Sequence, residues 1–216
     1  MNYPDPQLLI LGLFIGLLLF LTYKILTNPN RYKSSERIKL PYNKVPSFYT
    51  ALSLAASEHG YTGFLPKSRY LVVRTLNYFL HVLARILPYT KLRTPLHKMR
   101  GVKIGKNVQI GPNVFIDEAF PEYVHIGNNV AIAAGVWLIA HSKVPYHHRK
   151  ELDSFVEPLI IEDNVWIATG CTILPGVTIG EGSIITAGSV VGNSIPSNVM
   201  VGGIPARPIK KLGGGQ

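Results

Sequence analysis

The sequence predicts a mainly β protein, in which short parallel strands stack in coils behind a transmembrane helix and an amphipathic helical region. Two observations predict this: a six-residue pattern that repeats from Val102 onward, and an uncharged apolar run at residues 8–23. A fixed-period repeat decides the fold because each repeat is one structural unit. The predicted parts are a short tail (1–7), a transmembrane anchor (8–26), a basic linker with the amphipathic helical region (27–101), the repeat domain (102–200), and a C-terminal cap and tail (201–216).

The apolar run, "LLILGLFIGLLLFLTY", extends to Leu26 if the Lys24 side chain reaches toward the interface. About 20 such residues span a bilayer as a helix. A cleaved signal peptide is the alternative, but the run lacks a basic n-region and a small-residue cleavage site. No Lys or Arg precedes the run, and six follow it: Lys24, Arg31, Lys33, Arg37, Lys39 and Lys44. The positive-inside rule therefore predicts a single-pass anchor with the C-terminal body on the cytoplasmic side.

The charge is unevenly distributed. Residues 1–101 carry 14 Lys and Arg against 3 acidic residues, whereas residues 102–216 carry 8 against 9. A basic segment beside an apolar run indicates membrane lipid with anionic headgroups, and no nucleic-acid partner is expected. The single cysteine, Cys171, rules out an internal disulfide.

A helix is predicted over about residues 67–87, ended by Pro88. At 100° per residue, Lys67, Arg74, His81 and Arg85 form one narrow stripe with Asn77 beside it, and Arg69 is the exception outside it. The remaining arc is mostly apolar. Such a helix either lies in the membrane interface or docks on the surface of its own domain, and the residues leave both possibilities open.

In the repeat domain, the third residue of every six-residue block is aliphatic: Ile104, Ile110, Ile116, Ile126, Ile132, Leu138, Ile161, Ile167, Ile173, Ile179, Ile185 and Val191. In a short strand the first and third residues point to one side, while Gly and Asn provide the turns. Three strands close one coil of 18 residues, which gives four coils: 102–119, 124–141, 159–176 and 177–194. "FPEY" (120–123) and a long excursion (142–158) interrupt the stack.

The stretches "NVWIATGCTILPGVTIGEGSIITAGSVV" and "IPSNVMVGGIPARPIKKL" resemble the hexapeptide-repeat acyltransferases, above all the sugar O-acetyltransferases of the galactoside and maltose type. The resemblance implies a left-handed parallel β-helix and a homotrimer with active sites at the subunit interfaces. It also implies acetyl-CoA as the acyl donor and no metal. With the predicted anchor, the expected acceptor is a hydroxyl of a sugar or lipid-linked glycan. Transfer to an amino sugar stays open.

By the same resemblance, His141 is the general base, because that subgroup has a histidine at the end of a coil, followed by an excursion and "NVWIG". A neutral imidazole accepts a hydroxyl proton near neutral pH, and the acceptor oxygen would attack the thioester directly. Asp117, one coil below, takes the place of a glycine in "VFIDEA". It would orient the imidazole, bind the acceptor hydroxyl, or serve as a plain turn aspartate.

Thr169 and Ala187 are 18 residues apart, so they should stack on one corner and leave room for pantetheine. The resemblance gives both a CoA contact, together with further candidates: Trp166, Gly192, Asn193, Arg207 and Lys210. Relatives have a phosphate-binding lysine at the Asn193 position. Arg207, Lys210 and Lys211 are the substitutes expected to supply that charge.

Other chemically active side chains have structural interpretations. Cys171 occupies an inward position and should be core, and His125 an outward, structural one. Trp137 and Trp166 point outward, with Trp137 above Phe115. Whether His147 and His148 in the excursion contact the acceptor or only water is open.

Two other functions fit the same fold. A metal enzyme like the γ-class carbonic anhydrases needs three converging histidines, and His125, His141 and His147 or His148 lack that family's placement. The second is a scaffold without catalytic activity, which would bind no CoA.

Overall fold

A computed structural model describes Ile38–Lys39 and residues 66–145, 148 and 150–213. The predicted anchor and the N-terminal tail lie outside these residues. Within the described ranges, no helix is both long enough and apolar enough to cross a membrane.

Within the described part of the chain, two α-helices precede the repeat domain, α1 (Pro66–Ile86) and α2 (Thr90–Met99), and a 3-10 turn, Pro121–Tyr123, interrupts it. The strands in chain order are β1 (Ile38–Lys39), β2 (Lys103–Ile104), β3 (Gln109–Ile110), β4 (Phe115–Ile116), β5 (Val124–Ile126), β6 (Ala131–Ile132), β7 (Trp137–Leu138), β8 (His141–Ser142), β9 (Phe155–Val156), β10 (Leu159–Ile161), β11 (Trp166–Ile167), β12 (Thr172–Ile173), β13 (Thr178–Ile179), β14 (Ile184–Ile185), β15 (Val190–Val191), β16 (Val199–Gly202) and β17 (Arg207–Lys211).

The repeat strands form three sheets, each built from strands of successive coils: β2-β5-β10-β13, β3-β6-β11-β14-β16 and β4-β7-β12-β15. Neighbouring strands within each of these sheets are parallel. Paired residues are 18 apart between the third and fourth coils, as Thr172 and Val190 are, and farther apart where "FPEY" or the long excursion intervenes. The prediction of a mainly β fold of stacked parallel strands is therefore confirmed. β16 continues the second sheet beyond β14, so the predicted domain boundary at 200 falls inside a strand.

The core and the corners follow from the repeat. The third residues of the blocks line the interior, and only Ile104 of the twelve is not fully buried. Corner residues adopt positive φ, for example Asn129 at 55° and Gly170 at 70°. Glycine and asparagine tolerate that conformation better than other residues. Along one corner the asparagine side chains bond to one another, with Asn107 donating to Asn129 and Asn129 to Asn164.

The first coil has an open end, which α1 and α2 cover. N–H groups of the first coil donate to carbonyls of the second, as Gln109 does to Val130. Some first-coil carbonyls accept from the second coil, as Lys106 and Pro112 do. Others, such as those of Ile110 and Ile116, receive donors from the helical region instead, and buried carbonyls need donors. Side chains of the two helices supply them: Arg74 to Glu118 and Ala119, Asn77 to Glu118, Arg93 to Ile110, Thr94 to Val108, Lys98 to Gly105, and Arg100 to Ile116 and Asp117.

This cap explains the orientation of α1. The helix docks on its own domain, as one of the two alternatives predicted, but it does so through its polar stripe. Asn77 and His81 are buried, while Phe79 and Ile86 on the opposite side are 63% and 67% exposed. A surface helix normally buries its apolar side. In α1 the buried side is mixed, because Val73, Leu80 and Ala84 are buried beside the polar residues, and the larger apolar side chains face outward.

The long excursion is a hairpin and not an irregular loop. β8 pairs antiparallel with β9, with His141 opposite Val156, and β9 pairs antiparallel with β1. Val144 N–H donates to Ser154 Oγ inside the hairpin. The predicted excursion therefore begins with an ordered strand that contains His141 itself. At the C-terminus, the exposed strand β17 turns back antiparallel onto β16.

Candidate active site

The two side chains that we predicted to act in catalysis meet at one corner of the β-helix. His141 Nδ1 lies 2.6 Å from Asp117 Oδ2. Asp117 follows β4 and His141 begins β8, so the corner after the third sheet carries both, on successive coils. Of the three roles that the sequence left open for Asp117, this contact corresponds to orientation of the imidazole.

The carboxylate of Asp117 is fully buried and fully engaged. Its Oδ1 accepts from the N–H groups of Ala119 and Phe120, both at 2.9 Å, and its Oδ2 accepts from Ala140 N–H at 2.8 Å. Burial would raise the pKa of Asp117, but the hydrogen bond and charge of His141 and the backbone donors outweigh burial and lower it. The carboxylate is therefore ionised at neutral pH and fixed in position.

The imidazole of His141 is partly open to solvent, with 26% of its side chain exposed. The ring of Phe120 packs beside it, with 5.5 Å between ring centroids. Because Nδ1 faces the carboxylate of Asp117, the proton on that nitrogen is held there and Nε2 is the nitrogen left for another molecule. This arrangement suits an imidazole that accepts a proton at Nε2.

A buried arginine stands behind the pair, and the sequence interpretation did not single it out. Arg100 donates from Nη2 to the carbonyl oxygens of Ile116 (3.0 Å) and Asp117 (2.8 Å), and from Nε to Asn77 Oδ1 (2.9 Å). Burial lowers the pKa of Arg100 to about 9, so the guanidinium stays protonated at neutral pH. A useful signal would have been its position two residues before the first block, where first-coil carbonyls need donors.

His97 completes this cluster. Its Nδ1 lies 3.0 Å from Arg100 Nη1. Burial and the charge of Arg100 lower the pKa of His97 to about 2, so the ring is neutral and accepts this hydrogen bond. Helix α2 and the residue that follows it thus support the backbone of the residue that orients His141.

The predicted cofactor residues fall in three places on one chain. Thr169 and Ala187 are exposed on successive coils of the corner after the second sheet, where Gly188 N–H donates to the Thr169 carbonyl. Gly170 and Gly188 beside them have no neighbouring atom within 4 Å of an added Cβ, so this corner is open.

The other candidates lie elsewhere. Gly192 and Asn193 are exposed on the corner after the third sheet, above the corner residues Asp117 and His141. Arg207, Lys210 and Lys211 are exposed in β17, and Trp166 in β11 is 51% exposed. A single chain therefore does not bring all of these residues together.

The remaining predicted residues lie outside the Asp117–His141 pair, and most have defined contacts or burial. Trp137 stacks on Phe115 with 4.6 Å between ring centroids, as predicted, and Cys171 is buried. His125 Nε2 lies 3.2 Å from the Glu122 carbonyl oxygen. His147 lies outside the described residues, and His148 is exposed. Across the described ranges, no cluster of three or more His, Cys, Asp or Glu side chains could hold a metal ion.

A cleft of about 640 Å³ lies on the outer side of the first sheet, and its lining includes Lys103, His125, Glu162 and Glu181. It contains neither Asp117 nor His141. We therefore locate the candidate site by the Asp117–His141 pair and not by the size of a cleft.

Two family models match the repeat region. "Bacterial transferase hexapeptide (six repeats)" matches residues 158–193, and "Hexapeptide repeat of succinyl-transferase" matches residues 101–140. YvoF of Bacillus subtilis, provisionally named an acetyltransferase, is 31% identical over 134 residues, which are 62% of this chain and 74% of YvoF. The chain belongs to the hexapeptide-repeat acetyltransferase family.

Within that family, the galactoside O-acetyltransferase of Escherichia coli is 41% identical over 114 residues, 50% of this chain and 56% of that protein. A Schizosaccharomyces pombe protein, also provisionally named an acetyltransferase, is 46% identical over 99 residues, 45% of this chain and 46% of the relative. The chain thus spans about half the length of these two relatives.

A solved structure agrees with the fold. The hexapeptide-repeat acetyltransferase of Vibrio cholerae, solved with acetyl-coenzyme A, superposes with a TM-score of 0.51 at 24% identity, covering 67% of this chain and 90% of that one.

Proposed function

We propose that this chain is an acetyl-CoA-dependent O-acetyltransferase that acts on a hydroxyl of a sugar or lipid-linked glycan. The observation that carries the proposal is the 2.6 Å contact between His141 Nδ1 and the buried carboxylate of Asp117. Family membership supports acetyl transfer, and the similarity to galactoside O-acetyltransferase supports a sugar hydroxyl.

The chemistry follows from the pair. Asp117 holds the Nδ1–H tautomer, so His141 Nε2 presents its lone pair to the acceptor hydroxyl. As the proton passes to Nε2, the hydroxyl oxygen bonds to the carbonyl carbon of the thioester. The C–S bond then breaks, and the CoA thiolate takes the proton from the imidazolium. Asp117 stays ionised and stabilises the imidazolium while it exists.

The acetyl-CoA site is proposed at the open corner of Thr169 and Ala187. The exposed basic strand β17, with Arg207, Lys210 and Lys211, supplies charge for the CoA phosphates, and Trp166, Gly192 and Asn193 are further contacts. Because these residues occupy separate places on one chain, we propose a homotrimer of left-handed β-helices whose sites form between subunits. Native mass spectrometry of the detergent-solubilised chain tests the trimer.

We also propose that residues 8–26 anchor the chain in the membrane with its body on the cytoplasmic side. The uncharged run and the Lys and Arg residues that follow it support this placement. A tethered enzyme acts most readily on an acceptor that is itself membrane-bound, which favours a lipid-linked glycan over a free sugar. Protease protection of the body in right-side-out and inverted vesicles tests the orientation.

The central test is CoA release by the full chain in nanodiscs with acetyl-CoA and a panel of sugars and lipid-linked glycans. His141→Ala should lower kcat at least about 100-fold, because a positioned general base typically contributes that much. His125→Gln, on a half-buried histidine far from Asp117, is the matched control. Undiminished release by His141→Ala would refute the proposal. Absence of heat on calorimetric titration of the wild type with CoA would favour the scaffold alternative.

The bond formed distinguishes the acceptor group. An acetyl ester is removed by neutral hydroxylamine, whereas an acetamide resists it. Mass spectrometry of the product before and after this treatment therefore separates O-acetylation from N-acetylation.

A further inference from the structure

Helix α1 presents a mostly apolar surface outward, with exposed Thr75 as a polar residue within it. Its exposed large side chains are Leu71, Val72, Tyr78, Phe79, Leu83 and Ile86, and at 100° per residue they fall within an arc of about 140°. Tyr89 and Leu92, at the start of α2, are exposed as well. We call these eight residues the outer face. Contiguous exposed apolar patches of this kind mark contact surfaces.

The outer face does not arise from a misplaced helix. The opposite side of α1 is held by Arg74, whose Nη1 donates at 2.6 Å and 2.9 Å to the carbonyls of Glu118 and Ala119, and by Asn77, which donates to Glu118 at 2.7 Å. Rotating α1 to bury its apolar side would leave these carbonyls without donors and would break the hydrogen bond between Arg100 and Asn77. The cap therefore fixes which side of α1 faces outward.

Charge indicates what covers the outer face. Residues 66–101 contain eight Lys and Arg and no Asp or Glu. Part of this charge is used in the cap, but Lys91 and Lys98 are exposed. A second copy of the helix pair would bring two surfaces of the same sign together, whereas anionic phospholipid headgroups complement them. Tyr78 and Tyr89 combine an apolar ring with a polar hydroxyl, the composition found where protein meets the headgroup layer.

We propose that the outer face is a membrane-docking surface that lies in the headgroup layer of an anionic phospholipid bilayer. The proposal builds on the proposed membrane location of the chain and does not depend on acetyl transfer. It assigns α1 to a second, peripheral contact besides the anchor, which orients the body with respect to the membrane.

This docking has a direct relation to the candidate active site. A cleft of about 340 Å³ lies between the outer face and the corner that carries Asp117, since its lining includes Tyr78, Phe79 and Glu118, the residue after Asp117. A bilayer against the outer face thus approaches the side of the fold on which the acceptor hydroxyl must be activated.

The test uses the full chain in vesicles of phosphatidylcholine with about 30% phosphatidylglycerol. Phe79→Cys carries an environment-sensitive fluorophore, and Ser197→Cys is the matched control, an exposed position one level beyond the fourth coil. Four steps of about 4.8 Å place Ser197 roughly 19 Å from the first coil. Cys171 is fully buried and does not react. Ile86→Cys repeats the measurement at a second exposed position.

Lipid-attached doxyl groups should quench the Phe79 and Ile86 labels at least twofold more than the Ser197 label, while aqueous iodide should show the reverse order. Labels on α1 that iodide reaches freely would show a face open to water. Labels shielded from both quenchers would show a protein cover, a second copy or residues 8–23. Either result overturns the proposal, as would equal doxyl quenching in pure phosphatidylcholine. The readout needs no turnover, so an inactive enzyme leaves it interpretable.

Discussion

Arg100 Nη2 donates a 2.8 Å hydrogen bond to the carbonyl oxygen of Asp117, the residue whose carboxylate holds His141. The helical region is therefore connected directly to the corner that carries Asp117 and His141. Asp117 is therefore fixed on two sides. Arg100, which follows α2, holds its backbone, while His141 and backbone N–H groups hold its side chain. The helices complete the β-helix and are not an independent appendage.

Removing the guanidinium should destabilise the protein markedly. Arg100→Met leaves the buried carbonyls of Ile116 and Asp117 and the amide oxygen of Asn77 without their donor. We expect a loss of about 3 kcal/mol or more in the free energy of unfolding, since each buried unsatisfied group costs about 1–3 kcal/mol. Thermal unfolding in detergent measures it. Lys91→Met, on an exposed side chain outside the cap, should change stability by less than about 0.5 kcal/mol. Equal melting temperatures for both variants would contradict the cap.

Neutralising the carboxylate should reduce turnover without weakening donor binding. In Asp117→Asn the amide cannot stabilise an imidazolium at His141, so kcat should fall by about 100- to 10,000-fold, with KM for acetyl-CoA nearly unchanged. Steady-state CoA release gives both constants. Asp163→Asn is the control, because Asp163 also accepts a backbone hydrogen bond, from Asn128, at a different corner. A parallel fall in both variants would mean that Asp117 is only a turn residue.

Replacing His81 should stabilise the fold, and more so in acid. His81 is buried against Phe115, and neither ring nitrogen has a hydrogen-bond partner. Burial, then the charges of Arg100 and Arg85, lower the pKa of His81 to about 3 despite the opposing charge of Asp117. The folded state therefore binds fewer protons at this site than the unfolded state between pH 3 and 6.5, and stability falls as pH drops through 6.5.

His81→Leu removes this acid-labile group and the unpaired nitrogens. We expect a gain of about 1–3 kcal/mol at pH 8 and a larger gain at pH 5.5. Melting curves at the two pH values, with the exposed His148→Leu as a control, measure the difference. A variant less stable than the wild type at both values would show that the imidazole makes an essential contact.

Filling the open corner should obstruct donor binding. Ala187→Trp introduces a large ring next to Thr169, where the glycine positions lack close neighbours. KM for acetyl-CoA should rise at least about tenfold, equivalent to 1.4 kcal/mol of binding, while the melting temperature stays within a degree or two of the wild type. Ser197→Trp places the same ring at an exposed turn one level beyond the fourth coil. An unchanged KM in Ala187→Trp would move the donor site elsewhere.

The stacked coils and the proximity of Asp117 to His141 could be predicted from sequence because one period governs both. Residues 18 apart stack on the next coil, so Trp137 above Phe115 and His141 near Asp117 follow from counting. An interruption such as "FPEY" shifts the count only by its own length. Stacking of this kind is local information, and it needs no knowledge of how distant segments meet.

Residue spacing did not predict that the large apolar side chains of α1 face outward, nor that the excursion forms a hairpin. Hydrophobic periodicity predicts the helix but assumes that its apolar side is buried. Here the first coil's unpaired carbonyls outweigh that tendency, and they become visible only once the end of the stack is considered in three dimensions. β9 pairs with β1, more than a hundred residues earlier, and no sequence spacing encodes such a partner.

The β1–β9–β8 pairing also limits the distance between His141 and the end of the predicted anchor. Strand β1 bonds to β9, and β9 bonds to the strand that begins with His141. If the anchor ends at Leu26, the intervening residues 27–37 can extend to at most about 40 Å, and two strand spacings add roughly 10 Å. His141 then cannot operate farther than about 50 Å from the bilayer. If the acceptor is the proposed lipid-linked glycan, a hydroxyl held beyond that radius is out of reach, so acetylation would have to occur while the glycan chain is still short.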